Sequence, residues 1–139
     1  MPQHMADIDK IVLHHSASPR NTTKAEDIAR WHRERGFLAI GYHFVIEGNG
    51  TVRHGRDIDS IPAAQKGANT GSIAICLVGD NTKPGEGWTD DQKLSARSLI
   101  IMLRTILPKP LRLCGHRDVA PSECPGIDVA DVFPDLVSV

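Results

Sequence analysis

Short runs of apolar residues recur along the chain between longer polar stretches, and four of them predict β-strands. The runs are only a few residues long and are bounded by turn-forming residues, which favours strands over helices. After the second run, Gly48-Asn49-Gly50 is a strong turn signal, so the segment that follows it should be a fifth strand, the returning strand of a hairpin. The predicted strands are Lys10 to His14, Tyr42 to Ile46, Thr51 to His54, Ser72 to Val78 and Leu111 to Cys114.

The first predicted helix lies between the first two strands, where apolar residues have helical spacing. Thr23 stands three residues before Glu26, which predicts a capping box at the start of this helix. Ile28 and His32 share one of its faces, one turn apart. Gly36 is expected to end the helix, since glycine readily adopts the left-handed conformation that closes many helices.

A second helix begins with the same capping signature, at Thr89 and Gln92. It should reach about Leu107, where prolines stop it, and its largely apolar circumference predicts a central packing helix. Residues 55 to 71 have little periodicity and are interpreted as a long ordered loop. One short helix is expected near Val129 to Val132. Strands interleaved with helices predict a single α/β domain, residues 1–139, with a central mixed sheet flanked by helices.

The composition is that of an ordinary globular protein. Its 139 residues fit one domain, 40% of them are apolar, and the formal net charge is −1. Without a basic excess, no nucleic-acid partner is expected. Three cysteines do not predict a disulfide framework. No apolar run approaches a membrane span and the N-terminus lacks a signal-peptide pattern, so no membrane association is expected.

Three residues that bind zinc well stand where strand ends and loops can bring them together. His14 and His116 each follow a short apolar strand, and parallel strands would place both at the same edge of the sheet. Cys124 lies in a polar loop, unlike Cys76 and Cys114, which are interpreted as buried apolar residues. Three protein ligands leave a position for water, which is typical of catalytic zinc. On spacing alone, ordinary core or surface positions are the alternative for each residue.

Six short motifs occur in one order from about Ile11 to Asp128, across nearly the whole chain. They are His14-His15-Ser16-Ala17, Gly41-Tyr42-His43-Phe44, Gly48-Asn49-Gly50-Thr51, Asn69 with Ser72-Ile73, Gly115-His116-Arg117-Asp118 and Cys124-Pro125-Gly126. Each motif alone is weak, but the ordered set is specific. The chain resembles the zinc-dependent N-acetylmuramoyl-L-alanine amidases, a family that includes small phage lysozymes and peptidoglycan recognition proteins.

The resemblance implies a Zn²⁺ cofactor with His14, His116 and Cys124 as its ligands. It also implies that Tyr42 is the catalytic tyrosine beside the metal. Ser122 stands two residues before the ligand cysteine, where phage enzymes often have a lysine and other amidases of this fold have a small hydroxyl residue. We expect Tyr42, together with Ser122 or a nearby backbone amide, to donate hydrogen bonds to the oxyanion of the reaction.

Four further residues are candidates for substrate binding. Trp31, His32 and Asn69 are expected to line a groove for sugar or peptide. Helix packing for the first two, and a loop turn for Asn69, are the structural alternatives. Arg117 is a candidate partner of a stem-peptide carboxylate, although surface arginines are common.

The implied activity is hydrolysis of the amide bond between N-acetylmuramic acid and the L-alanine of the stem peptide in bacterial peptidoglycan. The expected context is a monomeric phage or prophage endolysin, cytoplasmic until the membrane is breached. The alternatives are a cytoplasmic amidase that recycles muropeptides, a peptidoglycan-binding module without catalysis and a regulator that binds another protein. A closed structural zinc site is a further alternative, with His15 or His54 as fourth ligand.

Overall fold

A five-stranded sheet lies at the centre of the computed structural model, which describes residues 1–84 and 86–137. The strands are β1 (Lys10–His15), β2 (Phe44–Ile46), β3 (Val52–His54), β4 (Ser72–Leu77) and β5 (Arg112–Gly115). Their order across the sheet is β3-β2-β4-β1-β5. Neighbouring strands are parallel except in the β2–β3 hairpin, so the predicted mixed sheet is confirmed.

Two long helices and several short turns surround this sheet. The described helices are α1 (Ala25–Glu34), α2 (Asp90–Ile106), α3 (His116–Val119), α4 (Val129–Val132), α5 (Pro134–Val137) and a 3₁₀ turn at Met5–Asp7. α1, α2 and α4 confirm the predicted helices, whereas α3 and α5 were not predicted because one turn is too short for a periodic pattern. Among the described residues, none of the helices has both the length and the apolar character needed to cross a membrane.

The two faces of the sheet carry separate apolar clusters. On one face, Leu99 of α2 packs in the cluster that contains Leu13. On the other face, Ile28 of α1 packs in the cluster that contains Cys76. Side chains alternate along a strand, so His14 points to the α1 face, opposite to Leu13. The imidazole of His14 therefore lies on the side of the sheet that α1 covers.

Parallel pairing of β1 with β5 determines where the candidate site lies. Leu13 pairs with Gly115, and on the other side of β1 His14 pairs with Cys76 of β4. The carboxyl ends of parallel strands meet at one edge of a sheet. His14 near the end of β1 and His116 directly after β5 therefore emerge at the same edge, which confirms the arrangement expected from the sequence.

The predicted capping box of Thr23 and Glu26 is wrong. The N-cap of α1 is Lys24, whose backbone N–H donates to the carboxylate of Asp27 at 2.9 Å. The carboxylate of Glu47, from the end of β2, accepts the first N–H of the helix at 2.9 Å. Glu47 is only 3% exposed. A contact from a distant part of the chain therefore sets where α1 begins, and local spacing could not indicate it.

The other predicted helix ends agree with the structure. Gly36 follows α1 with a φ of 93°, and its N–H donates to the Arg33 carbonyl while the Phe37 N–H donates to the His32 carbonyl. This is the Schellman arrangement that glycine permits. At the start of α2, the Thr89 hydroxyl accepts the N–H of the third helical residue at 3.0 Å, as its capping box predicts.

The segment before β2 pairs with the long loop of residues 55 to 71, and the N–H of His43 also donates to the Ala74 carbonyl of β4 at 2.9 Å. The N–H of Ala63 donates to the carbonyl of Gly41 at 3.0 Å, and the N–H of Arg56 donates to the carbonyl of Tyr42 at 2.9 Å. β2 begins at Phe44, two residues later than predicted. The loop is ordered against the rest of the fold, as expected, and it covers one side of the candidate site.

Substituting Glu47 by alanine should destabilise the fold by about 1–3 kcal/mol, because the first N–H of α1 would lose a buried acceptor. Urea unfolding followed by circular dichroism measures this loss. Glu26→Ala is the matched control, since Glu26 is exposed on the same helix turn and should cost much less. Equal losses in the two variants would contradict the role given to Glu47.

Candidate metal centre and active site

The structure brings His14, His116 and Cys124 together at the carboxyl edge of the sheet. Their ligand atoms all lie within 4.8 Å of one another. The Sγ atom of Cys124 is 3.5 Å from Nδ1 of His14, and the His14 and His116 ring centroids are 4.7 Å apart. We call these three residues the His/His/Cys cluster. The fold thus brings the His14 imidazole together with the side chains of two residues that lie more than 100 positions later in the chain.

Each member of the cluster is held by local structure. His116 is the first residue of α3, a turn that Asp118 caps by accepting the Gly115 N–H at 2.8 Å. The loop of Cys124 returns to this turn, since the Cys124 carbonyl accepts the Arg117 N–H at 2.7 Å. On its other side, the Asn81 amide donates to the carbonyl of the following proline at 2.8 Å. The loop of Cys124 is therefore hydrogen-bonded both to the turn that follows β5 and to the segment that follows β4.

Burial decides the protonation state of the cluster. Burial, and next the neighbouring His116, lower the pKa of the His14 imidazole to about 3. Burial also lowers the pKa of His116. Both imidazoles are therefore neutral near pH 7 and offer lone pairs. Burial raises the pKa of the Cys124 thiol to about 11, so this thiol becomes a thiolate near pH 7 only with a cation beside it.

The donor set and its spacing fit a zinc ion. Neutral imidazole and thiolate are preferred zinc ligands, at about 2.0–2.1 Å for nitrogen and about 2.3 Å for sulfur. Tetrahedral geometry at those bond lengths separates a nitrogen and a sulfur ligand by about 3.5 Å. The Cys124 Sγ to His14 Nδ1 distance is 3.5 Å. The donor atoms of His14 and Cys124 therefore already have the spacing of two ligands of one zinc ion.

The two histidines considered as a fourth ligand lie elsewhere. His15 points away from His14, and its Nδ1 accepts the N–H of Asn81 at 3.1 Å. His54 is on β3, where its Nε2 is 3.3 Å from a carboxylate oxygen of Asp57. Within residues 1–84 and 86–137, neither belongs to the group of possible metal ligands. This favours an open three-ligand site over a closed structural one.

Tyr42 lies beside the cluster. Its ring centroid is 5.1 Å from that of His14 and 5.4 Å from that of His32. Burial raises the pKa of Tyr42 well above its usual value, and the neighbouring Cys76 raises it further. The hydroxyl therefore stays protonated and can act as a hydrogen-bond donor. Cys76 is fully buried, as predicted, and belongs to the apolar cluster against which Tyr42 packs.

Three of the candidate site residues, Ser122, Arg117 and Trp31, are exposed. Ser122 is exposed, and its Oγ accepts the N–H of Cys124 at 3.1 Å, which leaves the hydroxyl proton free to donate elsewhere. The Arg117 guanidinium lies 3.7 Å from a carboxylate oxygen of Asp128. Trp31 is 37% exposed. Roles for Ser122, Arg117 and Trp31 in catalysis or substrate binding stay predictions.

Two of the proposed substrate-binding residues have structural contacts. Nδ1 of His32 accepts the Gly41 N–H at 2.9 Å, which ties α1 to the segment that carries Tyr42. The side-chain carbonyl of Asn69 accepts the N–H groups of Ala64 and Gln65 at 3.0 and 2.9 Å. These contacts match the structural alternatives noted for both residues, and their binding roles stay predictions.

His43 and Gln65 complete the polar interior near the site. His43 is buried, with Nε2 donating to the Ser60 carbonyl at 2.8 Å and Nδ1 accepting the Ala74 N–H at 3.0 Å, so it is not a metal ligand. Gln65 lies directly against the His/His/Cys cluster, with Oε1 2.8 Å from Nε2 of His14. Nothing in the sequence signals Gln65, because it stands alone in an aperiodic loop.

Two imidazoles and a thiol at the carboxyl edge of an α/β sheet, beside a protonated tyrosine, are side chains of the kind that metal-dependent hydrolases use. The family model for N-acetylmuramoyl-L-alanine amidase matches residues 4–127. The chain therefore belongs to the N-acetylmuramoyl-L-alanine amidase family and is an amide hydrolase.

Individual relatives agree with this assignment. The endolysin of Enterobacteria phage T3 is 39% identical over 128 residues, which cover 89% of this chain and 84% of that protein. The solved structure of the amidase LysC from Clostridium intestinale is 28% identical with a TM-score of 0.82, covering 98% of this chain and 90% of that one. Drosophila PGRP-LB is 28% identical with a TM-score of 0.82, covering 96% and 83%.

Substituting Gly115 by alanine should weaken zinc binding at least about tenfold, in the range of other changes around a metal site. A Cβ atom there would lie 2.8 Å from Cδ of Pro125 and 3.2 Å from Cγ2 of Val129, which displaces the loop of Cys124. Competition with a chromophoric chelator measures the affinity. Gly87→Ala is the control, since its Cβ would meet no atom within 4 Å. Unchanged affinity in Gly115→Ala would contradict the assigned geometry.

Proposed function

We propose that this amidase uses zinc to hydrolyse the bond between N-acetylmuramic acid and the L-alanine of the stem peptide in bacterial peptidoglycan. The observation that carries the proposal is the convergence of His14, His116 and Cys124 within 4.8 Å of one another, with Tyr42 alongside. Membership of the amidase family supports hydrolysis of an amide bond as the reaction. The donor set supports the choice of metal.

The three residues would hold the metal through Nδ1 of His14, an imidazole nitrogen of His116 and Sγ of Cys124. When bound at such a three-ligand site, zinc supplies Lewis acidity and lowers the pKa of water to about 7. The single anionic ligand, Cys124, leaves the site with a net positive charge, because both imidazoles are neutral. A positive, partly buried site favours the developing negative charge of an amide-hydrolysis transition state.

Tyr42 would donate its hydroxyl proton to the oxyanion in a hydrogen bond. Because the pKa of Tyr42 is raised well above its usual value, the proton stays on Oη near neutral pH. Loss of one such donor costs about 100- to 1000-fold in rate. Ser122 is proposed as a second donor, since its Oγ accepts from the Cys124 backbone and retains a free proton. A neutral hydroxyl there stabilises charge less strongly than an ammonium would.

Trp31, His32 and Arg117 are proposed to contact sugar or peptide around the reacting bond. His32 uses Nδ1 to accept the Gly41 N–H, so its neutral form carries the proton on Nε2. Its ring lies next to Tyr42. For Arg117, the weak pairing with Asp128 leaves its guanidinium able to bind a carboxylate of the stem peptide. Asn69 is the least favoured of the four, because its carbonyl is used within the loop.

We further propose a lytic role, as an enzyme that acts on intact cell wall after the membrane is breached. The relative from phage T3 is named an endolysin, and the match covers 84% of that protein. A complete ligand set argues against a module that binds peptidoglycan without cutting it. Comparing cleavage of intact sacculi with cleavage of soluble muropeptides tests the role, and activity on soluble fragments alone would favour recycling.

Substituting Cys124 by serine or alanine should remove bound zinc and lower amide hydrolysis by more than about 100-fold, because the only anionic donor is lost. Zinc content by plasma mass spectrometry and release of stem peptide from purified sacculi are the two readouts. Cys114→Ala is the control, since Cys114 is also a free cysteine and lies outside the His/His/Cys cluster. Full activity of both Cys124 variants without metal would refute the proposed mechanism.

Substituting Tyr42 by phenylalanine should leave zinc affinity unchanged and reduce kcat by about 100- to 1000-fold. The ring that packs against His14 is preserved, and only the donor hydroxyl is removed. Steady-state rates on a muramyl-peptide substrate, with zinc content and thermal unfolding measured alongside, separate catalysis from folding. An unchanged kcat would remove Tyr42 from the catalytic residues.

A further inference from the structure

The side chain of Gln65 contacts the His14 ring on the side that faces away from Cys124. It is fully buried, and its Oε1 lies 2.8 Å from Nε2 of His14. The opposite ring nitrogen, Nδ1, faces Cys124 at 3.5 Å. Gln65 therefore contacts the one nitrogen of His14 that does not face the His/His/Cys cluster.

The other contacts of Gln65 determine which way its amide faces. Its Nε2 lies 3.2 Å from the Ala68 carbonyl and 2.7 Å from the Ser72 hydroxyl. A backbone carbonyl only accepts hydrogen bonds, so the NH₂ group must face Ala68. The Ser72 hydroxyl donates to the Asn69 carbonyl at 2.7 Å and is thus free to accept from Gln65. The amide oxygen is left facing His14.

This orientation dictates where His14 carries its proton. An amide oxygen only accepts, so Nε2 of His14 must be the donor. A neutral imidazole has one N–H, and its other nitrogen then bears a lone pair. We propose that Gln65 is a positioning residue, which holds His14 in the Nε2–H tautomer and directs its Nδ1 lone pair at the metal. The inference rests on the proposed zinc site and adds a residue that orients its most buried ligand.

The backbone of Gln65 is fixed as well as its side chain. Its N–H donates to the side-chain carbonyl of Asn69 at 2.9 Å, so Asn69 and Ser72 together hold both ends of the residue. Ligating histidines are usually oriented by a hydrogen bond to their second nitrogen. Here the acceptor is neutral, which orients the ring without placing a second negative charge next to the Cys124 thiolate. A buried carboxylate would also leave the Ala68 carbonyl without a donor.

The test compares three variants with the wild-type chain. Gln65→Met keeps the length of the side chain but removes the acceptor, and its zinc dissociation constant should rise about 10- to 100-fold. Gln65→Glu restores an oxygen acceptor and should recover much of that affinity. Gln92→Met is the matched control, because Gln92 is also fully buried and donates to the Ile46 and Val78 carbonyls, away from the cluster.

A second readout needs no metal and no activity. Nitrogen-15 chemical shifts of the His14 ring in metal-free protein report which nitrogen carries the proton. The wild-type chain and Gln92→Met should show protonated Nε2, whereas Gln65→Met should show a mixture with protonated Nδ1. Thermal unfolding of both methionine variants checks that they lose similar stability, so that a difference in zinc affinity reflects orientation and not folding.

The outcomes separate this inference from the proposed function. Zinc affinity that falls no further in Gln65→Met than in Gln92→Met would overturn the positioning role, as would a metal-free wild-type His14 protonated on Nδ1. If the wild-type chain binds no zinc, the proposed function fails, and the effect of Gln65→Met on the His14 tautomer still decides the inference. Loss of affinity in Gln65→Met with recovery in Gln65→Glu supports it.

Discussion

The buried imidazole of His14 is the constraint on which the rest of the site depends. A ring removed from water must stay neutral, and each of its nitrogens needs a partner. Gln65 provides one partner, and the centre of the His/His/Cys cluster provides the position for the other. Parallel pairing of β1 with β5 then places His116 at the same edge of the sheet, and a fastened loop brings in Cys124. The fold thus brings two imidazoles and one thiol to the same edge of the sheet.

The fold was predictable where local sequence determines structure. Four short apolar runs and the turn Gly48-Asn49-Gly50 identified the five strands, and the pair Thr89 and Gln92 identified the start of α2, because each signal lies within a few neighbouring residues. The start of α1 was not predictable, because the buried Glu47 that caps it comes from 22 residues away. The single turns α3 and α5 are too short to produce a periodic pattern.

The candidate site was predictable only in part. His14, His116 and Cys124 stand in motifs with characteristic neighbours, so the ordered resemblance identified them as a group before their distances were known. Gln65 has no such motif, and its importance comes from a buried contact with a residue 51 positions away. For Asn69 the motif suggested a role in a binding groove, but its side-chain carbonyl accepts a hydrogen bond from the backbone of its own loop. Roles that depend on side-chain orientation need the structure.

The central claim is that two imidazole nitrogens and one thiolate sulfur hold a zinc ion with one position left open. X-ray absorption spectroscopy at the zinc K edge, on protein loaded with one equivalent of zinc, tests this most directly. The account predicts one sulfur at about 2.3 Å, two imidazole nitrogens at about 2.0–2.1 Å and one further light atom. A first shell without sulfur, or with only nitrogen and oxygen from solvent and surface groups, would contradict it.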